Sequence, residues 1–311
     1  MKIAWLFPGQ GAQAVGMGKA LYDASPAARE VFQRADEALG WSISKLCFEG
    51  PDTDLVLTKN TQPAIVTMSI ATLAALREAL PELPLPAVAA GHSLGEYSAL
   101  VASGALTLED AVRLVHLRGK AMQEAVPAGA GAMAAVMGAE PAQLEELCRQ
   151  AAEGDVVSPA NFNGGGQIVI AGSAAAVDRA GKLAAEQKLK VIPLKVSAPF
   201  HCALMAPAAR AVAEALTKIT VSPMAFPVVA NVDAQPNADS ARVADLLVRQ
   251  VDSPVRWQQS VEWMSSHGID RALELGPGKV LAGLVKRVAK DLKVLSVGDP
   301  ESLAKTRDFL A

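Results

Sequence analysis

The fold of this chain follows from the stretch PAVAAGHSLGEYSALVA, residues 86–102, in which an apolar run meets a helical pattern. Their junction is Gly91-His92-Ser93-Leu94-Gly95, a Gly-x-Ser-x-Gly sequence between a predicted strand and a predicted helix. In that context the motif is typical of a nucleophile elbow, which holds a serine at a helix N-terminus. Glycines allow the sharp turn, and the unpaired N–H groups of the helix can face an oxyanion. The alternative is an ordinary strand-to-helix turn, but the flanking sequence favours Ser93 as a nucleophile.

Composition indicates a globular protein with one large domain or two coupled domains. The 311 residues are 51% hydrophobic and 20% charged, and the net charge of -3 gives no reason to expect nucleic-acid binding. The three cysteines are far apart, which argues against a disulfide framework or a zinc site and fits a reducing compartment. No uninterrupted apolar stretch approaches the roughly 18 residues of a membrane span. We therefore expect a cytoplasmic protein without metal or membrane association.

Alternating strands and helices predict an α/β fold with a parallel sheet and helices on both of its faces. Before residue 127 the sequence predicts strands at 2–7 and 86–90, and helices at 16–39, 62–80 and, in two pieces, 96–126. After residue 198 it predicts helices at 205–216, 241–249 and 279–290, and strands at 227–232 and 272–275.

The segment between these two parts has a pattern of its own. A flexible joint at 126–131 precedes strands and helices in the order βαββαβ, which is typical of a ferredoxin-like unit. We therefore predict a discontinuous α/β-hydrolase-like domain of residues 1–126 and 199–311, with an inserted ferredoxin-like α+β domain of residues 127–198. A cleft is expected where the two domains meet. The predicted strands are 132–137, 156–162, 167–171 and 190–196, the helices are 141–152 and 174–187, and a hairpin turn lies at 163–166.

A serine nucleophile needs a positioned base, and His201 is the best candidate. It lies in the irregular segment 198–202, where the chain leaves the small domain at the edge of the predicted cleft. The alternative is a loop histidine that caps the following helix. The other histidines are less suited to this role. We expect His92 to point away from Ser93, His116 to lie on a solvated helix face, and His267 to lie at a helix end, where it complements the helix dipole.

Helical periodicity places Arg118 among apolar residues. When residues 107–126 are projected at about 3.6 residues per turn, the polar side chains gather on one side. Arg118 falls on the other side, with Leu114 and Met122. A guanidinium cannot lose its proton, so a buried arginine needs a partner. An internal carboxylate and a substrate anion both meet that need, and the projection leaves the choice open.

The turn after the first predicted strand, Gly9-Gln10-Gly11-Ala12, resembles a phosphate-binding turn only in part. The third glycine of a dinucleotide fingerprint is missing and no Gly-Lys-Ser/Thr follows, so nucleotide binding is not expected. A backbone N–H of this turn can instead complete an oxyanion hole. The usual first donor is the N–H of the residue after the nucleophile, here Leu94.

Taken together, these residues resemble the malonyl-CoA:acyl carrier protein transacylases of fatty-acid synthesis and the related acyltransferase domains of polyketide synthases. The resemblance extends over essentially the whole chain, and several matches in the same order are more specific than any single one. The matching segments are Phe7-Pro8-Gly9-Gln10-Gly11, Thr61-Gln62-Pro63-Ala64, residues 91–99, Arg118-Gly119, Phe200-His201, Asn231-Val232-Asp233 and residues 274–281.

The resemblance implies a catalytic set built on Ser93. Ser93 would be acylated, His201 would act as the base, and the backbone carbonyl of Gln250 would orient the imidazole. The N–H groups of Gln10 and Leu94 would form the oxyanion hole. A neutral carbonyl partner fits this chain, because the acidic residues between Ser93 and His201 lie mostly on predicted helices of the small domain.

The resemblance also implies the substrate. Arg118 would bind the malonyl carboxylate as a two-pronged ion pair, and Phe200 corresponds to the bulky residue of malonyl-selective members. Met122 and Gln62 would line the same pocket. The implied reaction is ping-pong transfer of malonyl from malonyl-CoA to the phosphopantetheine thiol of acyl carrier protein, a transient partner, for fatty-acid elongation. No cofactor is implied beyond these thioester substrates.

Several alternatives stay open. An acyltransferase of a polyketide or malonate-decarboxylase pathway would share these motifs, and a serine hydrolase or a non-catalytic subunit that docks carrier protein are more distant alternatives. A monomer is expected because nothing suggests a large exposed apolar patch. Two basic clusters could steer an acidic carrier protein or could be ordinary solvated faces. They are Lys286, Arg287, Lys290 and Lys293, read as one helical cluster, and Lys182, Lys188 and Lys190.

Overall fold

A computed structural model describes residues 2–311 as two sheets with surrounding helices. None of the helices in this range is long and apolar enough to cross a membrane. The first part of the chain contains β1 (Ile3–Phe7), α1 (Lys19–Ala24), α2 (Pro26–Leu39), α3 (Ile43–Glu49), α4 (Asp52–Leu55), α5 (Thr58–Ala79), β2 (Val88–Gly91), α6 (Leu94–Ala102) and α7 (Leu108–Glu124). The second part contains β3 (Gly131–Met137), α8 (Pro141–Ala152), β4 (Val157–Gly164), β5 (Gln167–Ser173), α9 (Ala174–Glu186) and β6 (Lys190–Pro193). The third part contains α10 (Ala206–Leu216), β7 (Val228–Val229), β8 (Pro236–Asn237), α11 (Val243–Asp252), α12 (Trp257–Ser266), β9 (Arg271–Leu275), α13 (Val280–Val288), β10 (Lys293–Val297), α14 (Pro300–Ala304) and α15 (Thr306–Leu310).

The main sheet confirms the predicted α/β fold. Its strand order is β10-β9-β1-β2-β7-β8, with parallel pairing except between β7 and β8. Side chains of β1 alternate between the two faces: Trp5 and Phe7 pack into one core, while Ala4 and Leu6 pack into the other. Helices therefore cover both faces of the sheet, as expected for parallel strands.

The middle of this sheet sets the place of the functional site. β1 lies between β2 and β9, and Phe7 pairs with Gly91 at the carboxyl ends of their strands. From β1 the strand order continues in opposite directions, so the loops that follow β1 and β2 open side by side. In open α/β sheets such a switch point is where ligands bind.

The second sheet has the ferredoxin-like arrangement. Its order is β4-β5-β3-β6, all pairs are antiparallel, and α8 and α9 pack on one face. Met133 and Ala135 point to the opposite face, where they pack with Cys202 and Phe200 from beyond the insertion. This apolar contact joins the small sheet to the segment that follows it. The exact domain boundaries at residues 127 and 198 remain a prediction.

Several predicted boundaries were wrong for identifiable reasons. The predicted helix 16–39 is two helices, because Pro26 opens α2 and the Ser25 side chain caps it by accepting from Ala28 N. The predicted strand 227–232 shortens to β7, since Ala234 N donates to Ala230 O and turns the chain. The basic cluster at 286–293 is not one helical face, because α13 ends at Val288 and Lys293 begins β10.

The prediction of a solvated His116 was also wrong. α5 begins at Thr58, one turn before its predicted start, and so contains Pro63 within the helix. Pro63 has no N–H to donate to the carbonyl of Lys59. That carbonyl accepts instead from His116 Nδ1, at 2.7 Å, and His116 is half-buried. A neighbouring helix thus supplies a contact that a single-helix projection cannot show.

Candidate active site

The Gly-x-Ser-x-Gly segment forms a strained elbow between β2 and α6. Ser93 has φ 50° and ψ −104°, a conformation that L residues rarely adopt, and it precedes the first residue of α6. Both glycines are required by space. A Cβ on Gly91 would lie 1.9 Å from the Gly95 carbonyl carbon, and one on Gly95 would lie 2.0 Å from Phe7 O. The elbow therefore packs directly on the end of β1.

The structure brings His201 to Ser93 across 108 positions of sequence. The Ser93 Oγ to His201 Nε2 distance is 2.7 Å, and His201 Nδ1 lies 2.9 Å from the backbone oxygen of Gln250. Because a carbonyl only accepts, Nδ1 carries the proton and Nε2 is free to accept from the serine. Burial, with the Arg118 cation nearby, lowers the pKa of His201 to about 3. The imidazole is therefore neutral near pH 7 and can act as a base.

Two backbone amides meet beside Ser93. Leu94 N begins α6, and Gln10 follows β1 in the neighbouring turn; both residues line the same cleft as Ser93. Among residues 2–311 neither N–H donates a hydrogen bond to another protein group. Free N–H groups at a helix N-terminus are suited to an oxyanion. The Gln10 side chain contributes to the wall, since its Nε2 donates to Thr58 Oγ1 at 3.3 Å.

Arg118 is buried beside Ser93, as the helical projection predicts. It is 1% exposed. Its Nη2 donates to Ser93 Oγ at 3.0 Å and to Gln250 Oε1 at 2.9 Å, and Nη1 donates to Gln62 Oε1 at 2.9 Å. Within residues 2–311 no carboxylate forms an ion pair with it, and its Nε–H has no partner. All protein partners are neutral, so the internal salt bridge that the sequence left open is absent from this part of the chain.

A cavity of about 140 Å³ connects these groups. Gln62, Met122 and Phe200 line it together with Arg118 and Ser93. Gln62 Nε2 lies 3.8 Å from Met122 Sδ, which joins two walls of the cavity. Gln250 is fully buried and contacts both Arg118 and His201.

Sequence similarity to proteins of known function identifies the family. The profile of the acyl transferase domain family matches residues 4–302. The malonyl CoA-acyl carrier protein transacylase of Haemophilus influenzae is 47% identical over 310 residues, which is 99% of each chain. The chain belongs to the malonyl-CoA:acyl carrier protein transacylase family.

Solved structures of the family share the fold over their full length. An acyl carrier protein S-malonyltransferase from Vibrio cholerae is 46% identical with a TM-score of 0.96, covering 98% of this chain and 100% of that one. A malonyl-transacylase solved in complex with a type II polyketide synthase acyl carrier protein is 42% identical with a TM-score of 0.94. That alignment covers 99% of this chain and 100% of the other.

Two residues that were not predicted from the sequence support the elbow of this transacylase family member. Asn231 Oδ1 accepts from Ser93 N at 2.6 Å, and Asn231 Nδ2 donates to Gly91 O at 2.8 Å. Glu96 Oε2 accepts from Asn231 N at 3.0 Å and from Gln250 Nε2 at 2.8 Å. Asn231 lay within a matching motif without an assigned role. The available signal for Glu96 was a carboxylate inside an otherwise apolar helix.

Within residues 2–311 the other histidines and the cysteines form no hydrogen bond with Ser93 Oγ. His92 lines the same cavity, but its Nε2 contacts Asn163 Oδ1 at 2.8 Å. His267 follows the last residue of α12, as predicted, and stacks on Trp263. Burial raises the pKa of the Cys202 thiol to about 11, which keeps it protonated. No cluster of metal-ligating side chains occurs in residues 2–311.

Proposed function

We propose that this protein transfers the malonyl group of malonyl-CoA to the phosphopantetheine thiol of acyl carrier protein through a malonyl-Ser93 intermediate. The observation that carries the proposal is Arg118, a buried cation with neutral protein partners whose Nη2 lies 3.0 Å from Ser93 Oγ. An acyl group whose carboxylate binds Arg118 therefore has that carboxylate within a few atoms of the nucleophile. Malonyl thioesters have that geometry, since a single methylene separates the carboxylate from the reacting carbonyl.

The first half-reaction acylates the enzyme. Ser93 Oγ attacks the thioester carbonyl carbon while His201 Nε2 accepts the serine proton. The N–H groups of Leu94 and Gln10 stabilise the oxyanion, and loss of one such donor commonly lowers the rate by about 10²–10³-fold. The carbon–sulfur bond then breaks, His201 protonates the departing CoA thiolate, and malonyl-Ser93 remains.

The second half-reaction reverses these steps with a different thiol. The phosphopantetheine thiol of the carrier gives its proton to His201 and attacks the serine ester, and His201 returns the proton to Ser93 as the bond breaks. Arg118 holds the same carboxylate in both halves. Coenzyme A and phosphopantetheine enter as substrates, so the reaction requires no resident cofactor.

Intact mass spectrometry tests the intermediate. We expect malonyl-CoA to add one malonyl group to the wild-type protein, and holo acyl carrier protein to remove it with the gain of the same mass on the carrier. Ser93→Ala should gain no mass, because it lacks the oxygen that forms the ester. Accumulation of malonylated Ser93→Ala protein would contradict the assignment of the nucleophile.

The competing activity is hydrolysis, and the acceptor distinguishes the two. His201 Nδ1 donates to a backbone carbonyl at 2.9 Å rather than to the carboxylate of a hydrolase triad. We expect malonyl-enzyme to persist in water and to discharge rapidly to carrier thiol. Supplying carriers of fatty-acid and polyketide synthesis side by side tests the fatty-acid role, in which the former is the preferred acceptor.

The proposal includes a monomer in the cytoplasm that meets its carrier transiently. The cysteines Cys47, Cys148 and Cys202 are free and buried, which suits a reducing compartment. Exposed large apolar side chains such as Val15, Leu85 and Val280 are distant in sequence: the first two lie in separate loops, and the third begins α13. Light scattering of the purified protein tests the monomer.

A further inference from the structure

Glu96 is a buried carboxylate to which the proposed reaction gives no step. It lies in the first turn of α6, three residues after Ser93, and is 3% exposed. Within residues 2–311 no lysine or arginine forms an ion pair with it. Burying a carboxylate away from a cation is unfavourable, so the hydrogen bonds that it accepts must offset this cost.

The group that Glu96 holds is the side-chain amide of Gln250. Gln250 Nε2 donates to Glu96 Oε2 and to Ser93 O, each at 2.8 Å. Gln250 Oε1 accepts from Arg118 Nη2 at 2.9 Å. The amide therefore lies between an anion on one side and a cation on the other.

This arrangement permits only one orientation of the amide. In the reversed orientation the Gln250 oxygen would face the Glu96 carboxylate, and its NH₂ group would face the Arg118 guanidinium. Both contacts would then be repulsive, because acceptor meets acceptor and donor meets donor. Glu96 thereby fixes the acceptor that aligns Arg118, and the same residue, Gln250, also supplies the backbone carbonyl that orients His201.

We propose that Glu96 is a positioning residue for acyl transfer, which acts through the Gln250 amide to hold the Arg118 guanidinium and the Ser93 carbonyl in their reactive geometry. It contacts none of the reacting atoms. Its second bond, from Asn231 N, connects it to the residue that also accepts from Ser93 N. The inference rests on the proposed malonyl transfer, because Arg118 acts there on the substrate carboxylate.

Two substitutions separate hydrogen bonding from charge. Glu96→Leu removes the acceptor, whereas Glu96→Gln keeps one acceptor oxygen and removes the charge. We expect Glu96→Leu to lower kcat/KM for malonyl-CoA by about 10- to 100-fold, the range for a lost hydrogen bond to a charged group. The preference for malonyl-CoA over acetyl-CoA should fall by about tenfold or more, since only the malonyl group uses Arg118. Glu96→Gln should show a smaller loss of both.

Glu109→Gln is the matched control, since this carboxylate on α7 pairs at the surface with Arg34 at 2.8 Å. It should leave both quantities unchanged. In a double-mutant cycle, the loss of malonyl preference in the variant that combines Glu96→Leu with Arg118→Ala should be much smaller than the product of the two single-variant losses. Residues that act through one another are non-additive in this way.

The pH profile gives a readout that a purely structural role would not change. Burial raises the pKa of Glu96 to about 7, and the negative charge of Asp233, in the turn after β7, acts in the same direction. Hydrogen bonds from Gln250 and Asn231 and the positive charge of Arg118 on α7 oppose this rise. His201 has its pKa lowered to about 3 and is neutral throughout this range. Glu96 is ionised above its pKa, so malonyl kcat/KM should fall as the pH decreases through about 7. Glu96→Gln should lack this step.

The outcomes distinguish this inference from the proposed function. Absence of malonyl transfer by the wild-type protein would overturn the function itself. If the wild-type protein transfers malonyl, and folded Glu96→Leu keeps the wild-type malonyl preference, the positioning role is refuted. If Glu96→Leu does not fold, Glu96→Gln decides: an unchanged preference with an unchanged pH profile refutes the role, and a lowered preference without the step near neutral pH supports it.

Discussion

Replacing Arg118 with alanine tests the selection of the substrate most directly. The guanidinium is 1% exposed and its Nη atoms donate to Gln62, Ser93 and Gln250. A malonyl carboxylate that binds there forms a charge-assisted pair in a cavity of about 140 Å³. Truncating one member of a buried, hydrogen-bonded charge pair commonly costs about 2–5 kcal/mol.

A value in the lower half of that range applies here, because the cavity opens to solvent and a carboxylate without its cation can stay partly hydrated. A loss of about 3 kcal/mol corresponds to a fall of about 150-fold in kcat/KM for malonyl-CoA. Acetyl-CoA has no carboxylate, so its kcat/KM should change far less. The malonyl-to-acetyl ratio should therefore fall by about 100-fold, and this ratio is independent of the fraction of protein that is folded.

The assay is transfer to holo acyl carrier protein, with malonyl-CoA and acetyl-CoA supplied in competition and the acylated carriers separated by mass. Arg113→Ala is the matched control, since this arginine lies on the same helix with its side chain 56% exposed and 3.9 Å from Asp110. The control should keep the wild-type ratio. An unchanged ratio in Arg118→Ala would refute the assignment of Arg118 to the malonyl carboxylate.

Two further predictions concern the elbow and the pocket. Gly95→Ala places a Cβ 2.0 Å from Phe7 O, so we expect the free energy of unfolding, measured with urea, to fall by about 1–3 kcal/mol or more. The control is Gly283→Ala, whose Cβ would have no atom within 4 Å and which should not destabilise the protein. Wild-type stability of Gly95→Ala would show that the elbow can form without this close approach. Phe200→Ser enlarges the cavity wall and should raise the use of methylmalonyl-CoA relative to malonyl-CoA by about tenfold, the effect of admitting one methyl group. Competition between the two thioesters measures this, and an unchanged ratio would exclude Phe200 as a steric gate.

Local sequence predicted those features whose physical cause is local. The elbow follows from two glycines around Ser93, between an apolar run and a helical pattern. The burial of Arg118 follows from the period of its own helix. The start of α2 at Pro26 also has a local cause, since proline is favoured in the first turn of a helix, although the predicted helix 16–39 continued across it.

The sequence by itself determined the elbow at Ser93, the burial of Arg118 and the order of strands and helices, while the resemblance to a known family pointed to the carbonyl of Gln250. Only the tertiary structure decided how these groups are held: Asn231 meets the elbow from 138 positions away, and Gln250 meets Glu96 from 154. The physical reason is that periodicity reports which face of an element is buried. It does not report which distant element covers that face, and that choice is fixed by the packing of helices and loops around the switch point of the sheet.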